Sequence, residues 1–536
     1  MNMLALRSGD DIIVIDAGLM FPEAELLGVD IVIPDITYLR QNREMIRALI
    51  LTHGHEDHIG AIPYILRDLN VPIYGTEFTL ALVMKKLEEH ALVDVAKLRE
   101  VKPGRKLELG PFEIEFIHVT HSTIDCVALA IRTPAGVVIH TGDFKIDQTP
   151  PDFQPFDLHA LAKYGQEGVL ALFSDSTNIE RRGHTPSERA VLPRIEELMR
   201  AAPRKVLVSC FASSIHRIQQ VINISAACGR KIGFIGRSMT DNVEIAHSMD
   251  RLRIPDGMVV RSQDLRAFDP KKLTVLVSGS QAEPMSSLSR IAVDSHRLLS
   301  VDETDTMILS ARVIPGNEKA IFRMIDHMFR RRALVYYEDG HGAPIHVSGH
   351  ASQEEQKLLL NLVKPRYFIP LHGEYRQLFR HAALAKQVGA VSGEVILLES
   401  GQPVEFTPDG AFKREPVPAG RVLVDSGSLE EIEDVVIRDR RHLSEDGVLV
   451  PIVAIDKHTG KLESSEIVTR GFLPPANGQA VINGARQVMA RTIDQSNPEE
   501  VGDWTVMKEK IRVDLRRYLK KQTSKRPLIL PVILEV

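Results

Sequence analysis

Residues 53–58 read His53-Gly54-His55-Glu56-Asp57-His58, three imidazoles and two carboxylates at close, fixed spacing. Ahead of them lies the apolar, β-compatible run Ile46-Arg47-Ala48-Leu49-Ile50-Leu51-Thr52. Behind them Ile59-Gly60-Ala61-Ile62-Pro63-Tyr64-Ile65-Leu66 reads as the start of a helix. The cluster therefore falls on a strand-to-helix loop, where side chains can converge on one point. Imidazole nitrogen and carboxylate oxygen suit zinc or manganese, and no sulfur is at hand to close a structural zinc site. An open His/Asp set is what metal-assisted hydrolysis needs. The chain holds 20 His, so the alternative is a surface loop rich in that residue.

The cluster has company. His121 follows the strand-like run Phe112–Val119, Asp143 follows Gly136–Ile139, and His372 follows the apolar run Phe368-Ile369-Pro370-Leu371. One such residue alone would ordinarily be a hydrogen-bonded turn residue. Three of them, each past a probable strand, together with His-x-His-x-Asp-His, point to one shared centre.

Length and composition give this centre a large setting. A chain of 536 residues with 44% hydrophobic residues can build two to four cores. Strand and helix patterns alternate over about 10–180. They continue through strand-like Lys205–Ser209, Lys231–Gly236, Leu273–Ser278 and Thr306–Ser310, with helical Ser187–Ala202, Ile215–Ala227 and Thr240–Arg251 between them. Turn formers in Ser400-Gly401-Gln402-Pro403 and Glu415-Pro416-Val417-Pro418-Ala419-Gly420 mark loops and a boundary. The segment 447–536 carries its own strand-like Val448–Ile455 and helical Met507–Lys521. The charged residues, 26% of the chain, are dispersed, which argues for globular order.

Three cysteines, Cys126, Cys210 and Cys228, are too few for a disulfide scaffold and sit in apolar surroundings. No apolar run has the length of a signal h-region at the N-terminus or of a membrane span elsewhere. The expected place is the cytoplasm. A net charge of −5 argues against a general nucleic-acid coat but not against a nuclease with local basic patches. Arg181-Arg182, Arg330-Arg331-Arg332 and the set Lys508, Lys510, Arg512, Arg516, Arg517, Lys520, Lys521, Lys525 and Arg526 are the candidates; each also reads as an ordinary solvated face.

Several segments resemble the metallo-β-lactamase fold, and within it the β-CASP nucleases of the bacterial ribonuclease J family. Val14-Ile15-Asp16-Ala17-Gly18, the 53–58 cluster, Thr120-His121-Ser122 and Thr141-Gly142-Asp143-Phe144-Lys145 carry the first part. Ser174-Asp175-Ser176-Thr177-Asn178, Val347-Ser348-Gly349-His350-Ala351-Ser352 and Pro370-Leu371-His372-Gly373-Glu374-Tyr375 carry the second. The resemblance implies an α/β protein, a metallo-β-lactamase αββα sandwich with an inserted β-CASP α/β domain and a small C-terminal α+β domain. It implies 1–184 and 351–430 as the two parts of the first domain with its linker, 185–350 as the insertion, and 447–536 as the last domain. The family ordinarily opens with a strand and a Gly-rich turn ahead of Asn2-Met3-Leu4-Ala5, so a misassigned or truncated start is expected; a sheet lacking that strand would expose an edge.

The same resemblance implies roles. His53, His55 and His121 would hold one divalent ion, Asp57, His58 and His372 a second, with Asp143 as the bridge. Asp57, Asp175 and His350 would be catalytic, His350 stabilising the transition state or protonating the leaving oxygen. Ser348, Gly349 and His350, with Ser213, Ser214, His216, Arg217 and Ser280, would grip substrate near a 5′-phosphate, since small polar turns offer backbone N–H groups to an anion. The implied activity is 5′→3′ exonuclease with endonuclease action on single-stranded RNA bearing a 5′-monophosphate, in RNA maturation and decay. The implied cofactors are two Zn2+ or Mn2+ ions. The implied assembly is a homodimer or homotetramer, with RNA-decay partners. A DNA nuclease, a small-molecule hydrolase of the same fold and a non-catalytic RNA-decay scaffold stay open.

Overall fold

The computed structural model describes residues 1–536 apart from 24–25, 27, 284–285, 315, 339–342, 426–429, 433, 457–458, 460, 474–477 and 497–503. Its contacts divide into two compact units, Met1–Met20 with Ile33–Arg421, and Phe21–Val32 with Val422–Val536.

The first unit is built on two sheets. One has five strands in the order Leu4–Ser8, Asp11–Ile15, Ile46–Ile50, Pro72–Gly75 and Lys97–Glu100. The other has seven, Glu394–Val395, Tyr367–Leu371, Val169–Asp175, Gly136–His140, Val127–Thr133, Phe112–His118 and Lys106–Leu109. Near-continuous apolar runs in the inner strands, such as Asp11–Ile15, Gly136–His140 and Val169–Asp175, mean both of their faces are covered, while edge strands such as Lys97–Glu100 and Lys106–Leu109 are more polar and more exposed. Ile13, Ile15 and Ile50 of the first sheet meet Phe116, Leu129, Phe173 and Ile369 of the second in one buried layer. Each such side chain contributes roughly 1.5–3 kcal/mol by leaving water. The outer face of the larger sheet carries helices Leu158–Glu167, Gln353–Val363 and Tyr375–Val388 through Leu161, Leu359, Val363 and Ala385. Helix Glu77–Glu89 covers the smaller sheet. These layers form the expected αββα sandwich.

At the edge of the five-stranded sheet, Leu4–Ser8 pairs antiparallel with Asp11–Ile15, from Leu4 opposite Ile15 to Ser8 opposite Asp11. Leu4–Ser8 is thus the edge strand on this side of the sheet.

The insertion is a parallel sheet in the order Lys231–Ile235, Leu273–Val277, Val206–Ser209, Thr306–Leu309 and Leu334–Tyr336. By sequence this is 2-3-1-4-5, so the chain switches sides about Val206–Ser209. Its core joins Leu207, Val275, Met307, Ile325 and Met328. The chain then returns to the sandwich. Strand Tyr367–Leu371 runs parallel to Val169–Asp175 with Leu371 opposite Asp175, and that register delivers His372 to the ends of the neighbouring strands.

The second unit has its own core, Leu449, Val453, Ile511, Leu515 and Leu519 among others. Strands Val448–Ile455 and Leu462–Arg470 pair antiparallel, and helices Gly478–Asp494 and Trp504–Thr523 pack with them. It begins at Val422, ahead of the expected start at 447, and takes in Phe21–Val32. Backbone bonds explain this: Asp30 N–H donates to Val424 O at 3.1 Å, and the Arg440 guanidinium donates to Gly28 O at 2.9 Å. No helix among the described residues is long and apolar enough to cross a membrane.

Candidate metal centre

Four strand ends of the sandwich open onto one place. Ile46–Ile50 leads into His53 and His55, and a short helix, Glu56–Ile59, carries Asp57 and His58. The helix thus starts inside the cluster and not after it. Two glycines permit the tight packing. A Cβ on Gly18 would lie 1.6 Å from Asp57 O, and one on Gly349 would lie 2.7 Å from the His121 ring. His372 sits in the left-handed region with φ 51°, a conformation that costs energy and gathers at functional sites.

The donor atoms fall into sets within 4.8 Å of one another. His53, His55, His121 and Asp143 form one; Asp57, His58, Asp143 and His372 form another. In the first, His53 Nε2 lies 3.0 Å and His121 Nε2 3.2 Å from His55 Nδ1. Asp143 Oδ2 is 3.7 Å from His53 and 3.8 Å from His121. In the second, His58 Nε2 is 3.3 Å from Asp143 Oδ2, and His372 lies 2.6 Å from Asp143 Oδ1 and 3.2 Å from Asp57 Oδ2. A third set adds Asp175 and His350 to Asp143 and His372.

Outer partners fix the rings. His121 Nδ1 is 2.7 Å from Gly349 O, so Nδ1 carries the proton and Nε2 is left as a lone pair. His58 Nδ1 is 2.7 Å from Asp16 Oδ2, and Asp16 also accepts from the N–H and hydroxyl of Thr52 at 2.8 Å each. Such partners orient metal-binding imidazoles and raise their basicity.

Electrostatics separate the two halves. Burial pushes His53, His55 and His121 below their ordinary values, His55 to about 4, so these rings are neutral donors. Burial opposes charge on His58 too, but Asp143, Asp57 and Asp16 outweigh it and hold it at about 10. His372 is held well above its usual value in the same way by Asp143 and Asp57. Despite burial, both Asp57 and Asp143 sit well below the carboxylate range because of these rings. Protons thus occupy the place between His and Asp where a cation fits, and the N/O donor set suits a borderline divalent ion.

His350 approaches from the insertion's return. Its Nδ1 is 2.8 Å from Asp175 Oδ2, which raises its pKa against the effect of burial. Its loop is pinned: Asn178 Nδ2 and Thr185 Oγ1 both donate to His350 O, at 3.2 and 2.7 Å. Ser348 Oγ accepts from His350 N–H at 3.2 Å. Ser348, Gly349 and His350 therefore stand at the centre itself.

The remaining expected substrate contacts lie past the carboxyl ends of the parallel strands of the insertion: Ser213 and Ser214 in the loop after Val206–Ser209, His216 and Arg217 on the first turn of helix Ile215–Ala227, and Ser280 in the loop after Leu273–Val277. Ser214 and Ser280 are buried there, and His216 Nε2 faces Asp152 at 3.5 Å. Arg217 differs from the expectation of a phosphate grip. It is buried, and its guanidinium donates to Glu188, to the Ser310 hydroxyl and carbonyl, and to Ile345 O. Its charge is spent on the scaffold. Asn2 was not anticipated: its Nδ2 donates to Asp57 Oδ2 at 3.2 Å and lies 3.0 Å from His58 Nε2. No local pattern marks it; backbone bonds from Asn2 N–H to Asp57 O and from Gly18 N–H to Asn2 O bring it in.

Known proteins match this arrangement from end to end. Family models match in four places: the metallo-beta-lactamase superfamily over 2–178, the ribonuclease J beta-CASP domain over 203–328, the Zn-dependent metallo-hydrolase RNA specificity domain over 343–397, and the ribonuclease J C-terminal domain over 435–536. Ribonuclease J2 of Bacillus subtilis is 37% identical over all of this chain and 96% of its own length. The chain belongs to the ribonuclease J family. Ribonuclease J of Helicobacter pylori is 39% identical over 99% of this chain and 77% of its own. Ribonuclease J of Thermus thermophilus is 38% identical over 100% and 93%. A solved structure of a protein of unknown function from Enterococcus faecalis aligns with TM-score 0.51 at 15% identity, over 74% of this chain and 94% of that one. That last likeness concerns the fold alone; ribonuclease J membership rests on the sequence matches.

Proposed function

We propose that this protein, a metal-dependent ribonuclease by family and by its His/Asp centre, removes nucleotides from the 5′ end of single-stranded RNA and also cuts internally. The observation that carries the two-ion reading is Asp143, whose carboxylate belongs to both donor sets. His53, His55 and His121 would hold one ion; Asp57, His58 and His372 the other. Two divalent ions, zinc or manganese, would lower the pKa of a water and offset charge on the phosphodiester oxygens.

The chain's own groups do the rest. Asp175 holds His350 by Nδ1, which leaves Nε2 to give its proton to the departing 3′-oxygen. A raised pKa keeps that proton available near neutral pH. Asn2 and Asp16 keep Asp57 and His58 in register. The small turns at Ser348–Gly349, Ser213–Ser214 and Ser280 present N–H and hydroxyl donors to a 5′-monophosphate, the basis for preferring that end. A homodimer or homotetramer working in the cytoplasm beside other RNA-decay proteins completes the reading; its support is the family, the three free thiols and the absence of a spanning helix among the described residues.

The test is a time course with purified protein and added Mn2+ or Zn2+. The substrate is one RNA, labelled at its 3′ end, carrying a 5′-monophosphate, 5′-triphosphate or 5′-hydroxyl, with a DNA twin. Stepwise loss of the monophosphate RNA, abolished by Asp57→Ala, is the expected result. Equal loss of the DNA twin, or cleavage surviving Asp57→Ala, would overturn it.

A further inference from the structure

A cleft apart from the metal centre lies in the insertion. It has a volume of about 210 Å³ and is lined by Ser280, Arg312, Phe322, Ile325, Tyr337 and Glu338 among others. That is below the roughly 300–1,000 Å³ of a pocket that swallows a whole ligand, and suits a single flat ring.

Position makes it a binding place. The cleft sits past the carboxyl ends of Leu273–Val277, Thr306–Leu309 and Leu334–Tyr336, where open parallel sheets take their ligands. Its walls are of two kinds. Phe322 and Tyr337 meet edge to face, with ring centroids 6.4 Å apart at 80°, and Phe322 is 49% exposed. An exposed Phe on a helix otherwise rooted by Ile321, Met324, Ile325 and Met328 leaves an aromatic face to water. Arg312 is the second kind. Among the described residues no carboxylate lies within ion-pair distance of it, and its guanidinium makes one hydrogen bond, from Nη1 to Asn178 Oδ1 at 3.2 Å. Half-buried, with Arg181 nearby and the carboxylates of Glu338 and Glu180 acting on it without closing an ion pair, it keeps donors free for a further anion. Asn178 in turn donates to His350 O, so one residue separates the cleft from the catalytic loop.

A cation and an aromatic face side by side, next to a phosphodiesterase centre, match a nucleotide: base on ring, phosphate on guanidinium. We propose that this cleft is a nucleobase subsite, in which one base of the RNA stacks on Phe322 and Tyr337 while its phosphate meets Arg312. The proposal rests on the ribonuclease reading and adds to it a fixed position along the strand where a base is required. Any base stacks, so the subsite grips without reading sequence.

The experiment is equilibrium binding by the full-length Asp57→Ala protein, which cannot cut. The probes are fluorescent 5′-monophosphorylated 10-mer RNAs with one abasic nucleotide walked along the strand. One position should weaken binding about tenfold or more, the usual worth of a stacked base. Phe322→Ala should weaken binding of intact RNA by a similar factor and leave that one abasic oligomer unaffected; Phe322→Tyr should restore it. Arg312→Gln should weaken every oligomer. A flat abasic scan, or a Phe322→Ala loss equal on all oligomers, would overturn the subsite while leaving the ribonuclease reading intact. Failure of every RNA to bind would overturn both.

Discussion

At the residue scale, the centre depends on groups that touch no substrate. Asp16 accepts three hydrogen bonds, two from Thr52 and one shared with His58. Asp16→Asn replaces an acceptor with a donor facing Thr52 or His58, so the ring loses its anchor. Metal affinity is expected to fall about 10–100-fold, the usual effect of losing such a partner, as read by titration with Zn2+ against a competing chelator. Gly349→Ala should act from the other side. Its methyl would press on the His121 ring and on Ser122 Cβ at 2.9 Å, with an overpacking cost of about 1–3 kcal/mol. The expected variant is folded by circular dichroism but strongly impaired in RNA cleavage. Metal uptake should also release protons, because His58 and His372 hold theirs near neutral pH in the metal-free protein and ligands must shed them. Affinity is therefore expected to fall as pH falls from 8 to 6, with proton release measured by calorimetry in buffers of different ionisation enthalpy.

At the element scale, helix Gln353–Val363 shows how one side chain can tie three segments. Glu355 closes the capping box on Ser352, and also accepts from the backbone N–H of Ile146 and Thr185 at 2.8 and 2.7 Å. Glu355→Ala would orphan three buried N–H groups at roughly 1–3 kcal/mol each. A loss of at least about 3 kcal/mol in a denaturant titration is expected. How much of the elements was legible follows similar local physics. Strands such as Val206–Ser209 matched Lys205–Ser209 within a residue because β-branched runs admit little else. Helix Arg237–Ser248 begins three residues before the expected Thr240, since Gly236 at φ 103° starts it. Thr240 lies inside the helix, its hydroxyl donating back to Gly236 O. The donors of the centre were visible because they bunch in His53–His58 or stand at strand ends. Asn2 and Asp16 were not marked as functional, because what makes them so is proximity created by the fold. Arg217 read as a grip because a charge after a Ser-rich turn looks available; its burial against Glu188 is invisible in the chain.

At the scale of the whole molecule, the centre is a fastener for one unit. Its proposed ligands run from His53 to His372 and come from both sheets of the sandwich, with the insertion's return supplying His350 beside them. The second unit, with its own core of Leu449, Ile511 and Leu515, contributes none of them. Ions that bind only the folded unit should stabilise it by about 2.7 kcal/mol when present at a hundred times their dissociation constant. Spread over a unit this large, that is a shift of a few degrees, since each kcal/mol moves the midpoint by about 2–4 °C even at 150–250 residues and by less in larger units. Calorimetry with and without EDTA should then show one transition moving down on chelation and a second holding still. Equal movement of both would mean the two units melt as one. No movement of either would mean that the protons on His58 and His372 already do for the folded chain what the ions were supposed to do.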